Sequence, residues 1–416
     1  MKTLAAVRTL TPAQWRAFLA AYLGWALDAF DFFLLVFVIR HIAADFNTGI
    51  KDVSYGVFLT LATRPIGALV FGYAADRWGR RPALMASIVF YATMELSSAF
   101  APSLGWLLAS RALFGIGMGG EWGVGASLAM ESMPAQARGI LSGVLQQGYP
   151  VGYLLAALAY KLVFPHFGWR GMFVAGFMPA LLVFFILSGV QESPAWLARR
   201  LERKSPGRGS APGAWDALLG HWKLVLYMAA LMTAFNFFSH GTQDLYPSAF
   251  LEKQKGLSNG TAANIAIVYN LGALAGGIFF GALSQQIGRR RAIATAALLA
   301  LPAVPFWIGA VGVPTAVSLG AGAFFMQFAV QGAWGVVPAH LNELSPSSIR
   351  GLLPGLTYQL GNLFASQNIL LQTSLAQRHG GDFGYALGCV VVIVGLVLAF
   401  LAWFGPEKMD AQMENC

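Results

Sequence analysis

Apolar residues occupy this chain in long runs, and the polar residues that separate them recur at regular distances. Runs bounded by proline, glycine or charge lie near 15–39, 52–75, 82–100, 104–129, 139–163 and 169–190, and again near 222–248, 261–284, 291–311, 313–339, 350–375 and 382–404. Each is long enough for a helix to cross a hydrocarbon core, which takes roughly 20 apolar residues. The pattern predicts an all-α integral membrane protein of twelve transmembrane helices. Between the sixth and seventh runs, residues 191–221 turn polar and place Arg199, Arg200, Arg203, Lys204 and Arg208 around Ser205-Pro206-Gly207. This stretch reads as a solvated linker between six-helix bundles at 1–190 and 222–416.

Composition excludes the soluble alternative, because 57% of the residues are hydrophobic and only 11% charged. Such a surface must face lipid. Lys2, Arg8 and Arg16 precede a first apolar run that continues past the length of a cleavable signal, so it is read as the first span. Of 27 lysines and arginines, 18 fall on the side of the N-terminus, 7 on the other side, and two, Arg64 and Arg111, within spans. Such asymmetry predicts a multi-pass protein of the cell membrane with both termini cytoplasmic. The net charge of +9 then sits beside anionic headgroups of the bilayer, and no nucleic-acid partner is expected. Cys389 and Cys416 form neither a disulfide framework nor a metal-ligand spacing. No nucleophile constellation accompanies them, so neither a cofactor nor an enzymatic activity is expected.

The two halves echo one another. Gly72-Tyr-Ala-Ala-Asp76-Arg77-Trp-Gly79-Arg80-Arg81 after the second run is repeated as Gly281-Ala-Leu-Ser-Gln285-Gln286-Ile-Gly288-Arg289-Arg290 after the eighth. Glu131-Ser-Met-Pro134 with Arg138-Gly139 is repeated as Glu343-Leu-Ser-Pro346 with Arg350-Gly351. Two six-helix halves related by an axis along the membrane normal suit a transporter that rocks around a central site. The first loop resembles the signature loop of the major facilitator superfamily, and Arg111-Ala-Leu-Phe-Gly115-Ile-Gly117-Met-Gly119 resembles that family's fourth-span element. Glu192-Ser-Pro194-Ala-Trp196-Leu197 is similar to the segment that ends span six in its sugar and metabolite porters. The resemblance implies the major facilitator fold. Asp76, Arg77, Arg80, Arg81 and Arg138 become a candidate cytoplasmic gate that holds an outward-open state, and Gln285 in place of the aspartate implies a weaker second latch.

Eight ionisable residues lie at bilayer depth, away from the ends of the apolar runs: Asp28, Asp31, Arg64, Glu95, Arg111, Glu121, His240 and Asp244. Charged groups at this depth are costly and commonly line a pathway. Five acids face two obligate cations, so even full pairing leaves carboxyl groups that burial favours in the protonated form. At least one is expected to bind a proton reversibly. Asp28 and Asp31 share a helical face and serve either proton handling or an ion pair with Arg64 or Arg111. Glu121 is either a proton carrier or a helix-packing hydrogen bond, and Glu95 is expected to face a neighbouring helix or an interface. Arg64, near mid-span, presents a forked donor suited to a carboxylate, whether that of a substrate or of an aspartate.

Asn236, His240 and Asp244 repeat every fourth residue with Gln243 beside them, a polar face that cannot meet lipid. The stretch Asn236-Phe-Phe-Ser239-His240-Gly-Thr242-Gln243-Asp244 resembles the span-seven motif of lactate/pyruvate proton symporters in the sialate:proton symporter group, with Ser248 where threonine is usual. Trp25-Ala-Leu-Asp28-Ala-Phe-Asp31, Gln146-Gln147-Gly148-Tyr149-Pro150 and Gln359-Leu-Gly-Asn362 resemble its spans one, five and eleven. The resemblance implies substrate contacts by Arg64, Asn236, His240, Gln359, Asn362, Gln146 and Tyr149. It also implies proton coupling among Asp28, Asp31, Glu121, His240 and Asp244. Gln359 and Asn362 could instead bond helix to helix. The expected partners are a small organic anion and a proton, carried by a chain that functions as a monomer. Lactate and pyruvate are the first cargoes considered, with sialic acid or an aromatic acid as the rival.

Overall fold

The computed structural model describes residues 6–204, 213–409, 411 and 413. Lys2, Ser205-Pro206-Gly207, Arg208 and Cys416 lie outside them, as do the side chains of Arg203 and Lys204. The apolar runs fold as twelve spans. Pro12–Asp45, Ile50–Trp78, Arg80–Ala99 and Leu104–Ser132 are continuous helices, and so are Asn259–Ile287, Arg289–Trp307 and Phe383–Phe404. The remaining five are interrupted, which hydropathy does not foretell. Span five breaks between Ala135–Gln146 and Gly148–Leu162, and span six between Phe164–Ala175 and Ala180–Gly189. In span seven Trp222–Gln243 gives way to a π-helical turn, Tyr246–Gln254. Span ten joins Ala316–Trp334 to Val337–Leu344, and span eleven joins Leu353–Ala365 to Asn368–Arg378. The linker, expected as solvated chain, contains helices Pro194–Lys204 and Ala214–Gly220.

The sequence repeat returns as repeated geometry. Gly79 and Gly288, at φ of 122° and 94°, join spans two to three and eight to nine with a single left-handed residue that a side chain would strain. Each following helix receives a carboxylate at its exposed N–H groups: Glu192 accepts from Arg80 N at 2.9 Å, and Glu407 accepts from Arg290 N at 3.0 Å. Arg80 forks onto Glu131 at 2.9 and 3.2 Å, and Arg289 forks onto Glu343 at 2.9 and 3.0 Å. All four side chains are buried, so the ion pairs act as fixed pins rather than surface decoration.

Within each half, small residues bring helices to backbone contact. Gly67 and Gly119 lie so close to the facing carbonyls of Ile116 and Arg64 that neither site has room for a Cβ. Spans two and four are thereby locked together, which sets the depth of Arg64. Between halves, the main packing joins Ala135–Gln146 to span eight, Leu353–Ala365 to spans two and four, and Val337–Leu344 to spans four and five. At the crossing of spans four and eleven, a Cβ on Gly123 would stand 2.6 Å from the Gly355 Cα. These contacts cluster toward the basic face, at which span one begins and span twelve ends. Beyond the breaks, Gly148–Leu162 packs chiefly on spans one and six, and Asn368–Arg378 on spans seven and twelve. The halves are therefore closed at the basic face and parted at the opposite one.

Candidate functional site

A cavity of about 330 Å³ lies between the halves, lined by spans one, two, five, seven, ten and eleven. Six of the seven residues expected to touch substrate line it: Arg64, Gln146, Tyr149, Asn236, His240 and Asn362. Gln359 does not. It is buried behind the wall and accepts a hydrogen bond from the Asn362 amide at 3.2 Å, so it orients Asn362 rather than facing the cavity. His240 Nδ1 lies 3.1 Å from Asp244 Oδ2, one turn along span seven and at the point where that helix breaks. Both remain partly exposed to the cavity, as an accessible proton-bearing pair requires.

Arg64 is 4% exposed and reaches the lining. Its Nη2 meets the Met118 thioether and the Phe32 ring lies 5.4 Å away, yet no carboxylate of the described residues stands within ion-pair distance. The guanidinium is thus held by soft and aromatic neighbours and keeps its charge uncommitted. Of the two alternatives for Arg64, the ion pair with Asp28 or Asp31 is not formed. Arg111 of span four pairs with Glu95 of span three, so Glu95 faces a neighbouring helix.

Asp28, Asp31 and Glu121 are fully buried within the first half, away from the cavity lining, and none of their carboxyl oxygens has a hydrogen-bond partner among the described residues. Glu121 makes no helix-packing hydrogen bond. Its carboxylate presses on Gly24 of span one, a position where a Cβ would collide with it. Asp28 and Glu121 act electrostatically on each other, and both feel Arg64. One arginine therefore faces two ways, toward the cavity and toward the buried acids.

Several cavity residues escaped the sequence reading. Gln331 lines the cavity and donates to Ser239 Oγ at 3.3 Å, while Gln327 holds Thr242 Oγ1 and Gln243 at 3.0 Å each. Gln327 and Gln331 lie four apart in an apolar span, so the rule applied to span seven would have found them. Trp25, Trp334 and Tyr358 also line the cavity. The Tyr358 ring stands 4.6 Å from Trp122, 5.6 Å from Trp334 and 6.3 Å from Trp25, so aromatic rings from both halves meet around it.

At the basic face Asp76 is the central latch. Its Oδ1 accepts from Arg80 at 2.7 Å and from Gly351 N at 2.9 Å, and its Oδ2 from Leu352 N at 3.1 Å. One carboxylate thus binds an arginine of its own half and two backbone donors of the other. The second-half counterpart is a real contact, not an absent one: Gln285 accepts from Gly139 N and donates to Ala135 O, both at 3.0 Å. Arg138 donates to Met130 O and Met133 O and, through Nη1, to Ala411 O at 2.6 Å, which ties the C-terminal segment to this face. Arg81 reaches the carbonyls of Ile186 and Leu187 within its own half. Arg77 departs from the expected gate, since it is exposed and donates to the Tyr73 hydroxyl on the same helix.

Known proteins resemble this chain in sequence and fold. The chain is 30% identical over 399 residues to a carboxylic acid transporter protein homolog of Saccharomyces cerevisiae, covering 90% of this chain and 63% of the yeast protein's length. It is 29% identical over 408 residues to the sialic acid transporter NanX of Escherichia coli, with 97% of each chain covered. The fold superposes on the proton:xylose symporter XylE with a TM-score of 0.76 at 21% identity, over 97% of this chain and 98% of that one. Residues 21–366 match the sequence profile of the Major Facilitator Superfamily, and with the two pinned six-helix halves around a central cavity this establishes that the chain belongs to that family.

Proposed function

We propose that this protein carries a small organic acid together with a proton, by alternating access to the central cavity. The uncommitted Arg64 guanidinium carries this reading: a buried, obligate cation with forked donors on a polar cavity is built for a carboxylate. Asn236, Asn362, Gln146, Gln243 and Gln331 supply donors and acceptors for the remaining polar atoms. Symport follows from the two-sided position of Arg64. When the substrate carboxylate engages it, Asp28 and Glu121 lose their shared counter-charge, and a proton must join them to keep the dry interior near neutrality. One anion and one proton together move no net charge, so transport is electroneutral. With the basic face cytoplasmic, the parted face opens the cavity outward, and import runs down the combined gradients.

Lactate and pyruvate are one cargo class. A larger acid, sialate or an aromatic acid, is the second, and the cavity favours it. Its volume of about 330 Å³ falls within the range of pockets that take drug-sized molecules, and its walls include Trp25, Tyr149, Trp334 and Tyr358. The names of the yeast and E. coli relatives are compatible with either. Uptake into proteoliposomes decides. The larger-acid reading expects unlabelled N-acetylneuraminate or nicotinate to suppress uptake of the transported anion while excess lactate leaves it intact. Suppression by lactate and pyruvate alone reverses the choice, and the absence of any acid-dependent proton movement removes the proposal.

The cavity pair supplies a second test. Asp244→Asn removes the anionic partner of His240 Nδ1. Uptake is expected to fall about tenfold or more, with a changed dependence on external pH. An unaltered pH profile would take His240 and Asp244 out of the proton path.

A further inference from the structure

The residues after span twelve cross from one half of the protein to the other. Glu407 belongs to the second half, where it accepts from Arg289 N at 3.2 Å and from Arg290 N at 3.0 Å. Four residues on, Ala411 N donates back to Lys408 O at 3.2 Å, and the Ala411 carbonyl accepts from Arg138 of the first half at 2.6 Å. The Met413 carbonyl then accepts from Arg350 of the second half at 3.3 Å. Its side chain is 2% exposed and joins an apolar cluster with Phe18, Met130 and Leu141 of the first half and Ala339 of span ten. Arg138 and Arg350 hold matching places in the repeat, so one segment is gripped by the same arginine of each half.

The corresponding segment of the first half bonds differently. Glu192 is the counterpart of Glu407, and in the helix that follows it Trp196 Nε1 and Arg199 Nη2 both donate to the Asp76 carbonyl of their own half, at 3.1 and 3.0 Å. The second-half segment instead reaches across the seam. Two residues of chain span at most about 7 Å, so the Ala411 and Met413 carbonyls can be held together only while Arg138 and Arg350 stay close. That is the state closed at the basic face. Parting the halves there must break one grip or the other, and it must also open the cluster around Met413 to water, which opposes the step.

We propose that the segment carrying Ala411 and Met413 is a removable strap. Docked, it holds the protein open to the outside, and its release is a required step of inward opening. The strap goes beyond the reading of cargo and proton coupling, since it acts whichever solute the cavity holds.

Met413→Asp tests this in the full chain, because a carboxylate does not enter the apolar cluster without a large desolvation cost. Spin labels at Lys51 and Asn259, exposed on the face opposite the basic one and in different halves, are read as a distance distribution in purified protein. The ratio of outward-open to outward-closed protein is expected to fall at least about tenfold, seen as a new shorter component. Met413→Leu, a swap of similar volume, is expected to keep the wild-type distribution. Met413→Ser removes the apolar contact without adding charge, should shift the distribution the same way by less, and supplies the test if the aspartate impairs folding. An unchanged distribution in the aspartate and serine variants, whatever their melting temperatures, overturns the strap and leaves the segment as packing alone. A shift of equal size in Met413→Leu also overturns it, because release would not be the cause.

Discussion

Replacing Arg64 with lysine is expected to abolish most acid uptake while leaving the protein folded. The main chain at this position sits against Gly119 and is untouched by the change, so the packing of spans two and four persists. What disappears is the planar fork. Lysine offers a compact ammonium that can meet one carboxylate oxygen but cannot hold both in fixed register, and it loses the fit between the Met118 sulfur and the Phe32 ring. The expected cost is about 3 kcal/mol, or roughly 100-fold in affinity for the transported acid. Binding of the acid followed by thermal shift or calorimetry measures it directly. Near-normal affinity would show that the carboxylate rests elsewhere, and the proposed link between anion and proton would fall with it.

Asp76→Asn should act on the other end of the cycle, changing which face is open. The aspartate accepts from Arg80, Gly351 N and Leu352 N, and Arg199 lies 3.7 Å away. An asparagine turns one acceptor oxygen into a donor that must confront an N–H group, and leaves the nearby arginines short of charge. Hydrogen bonds to a charged group contribute more than neutral ones, and several are lost together. A loss of about 3 kcal/mol from the state closed at the basic face would turn a population of about 99% into a roughly even mixture. Spin labels at Lys51 and Asn259, exposed on the opposite face in different halves, report the change: their separation should acquire a shorter component as that face closes. An unchanged distance distribution would mean that Asp76 pins its own half without latching the two together. Gln285→Ala, which removes two neutral hydrogen bonds across the interface and one from Arg289 within its own half, is expected to shift the same distribution less.

The two latches differ as the loss of charge at Gln285 implies: its bonds across the interface, from Gly139 N and to Ala135 O, are neutral, whereas those of Asp76 are made to a carboxylate. Arg77 does not follow the expected gate, since a residue inside the signature loop proved to face outward.

Hydrophobic periodicity alone determined the number of spans, the linker, the division into halves and the polar face of span seven, because each depends on what a helix must hide from lipid. The repeat and the surplus of buried acids were legible for the same reason. Which polar faces would meet was not. Span breaks at Gln147 and Asp244 fall inside apolar runs, where Pro150 and Pro247 remove the amides that would bond back to residues 146 and 243, a signal that hydropathy does not register. Only packing of the helices, fixed by close contacts such as Gly67 on Ile116 and Gly123 on Gly355, decided that Glu95 pairs with Arg111. It also decided that Gln359 stands behind Asn362, and that Asp28, Asp31 and Glu121 lie buried in the first half rather than in the cavity. A sequence states which side chains cannot face lipid. The partner each one finds depends on helix depth and rotation, which are properties of the assembled bundle.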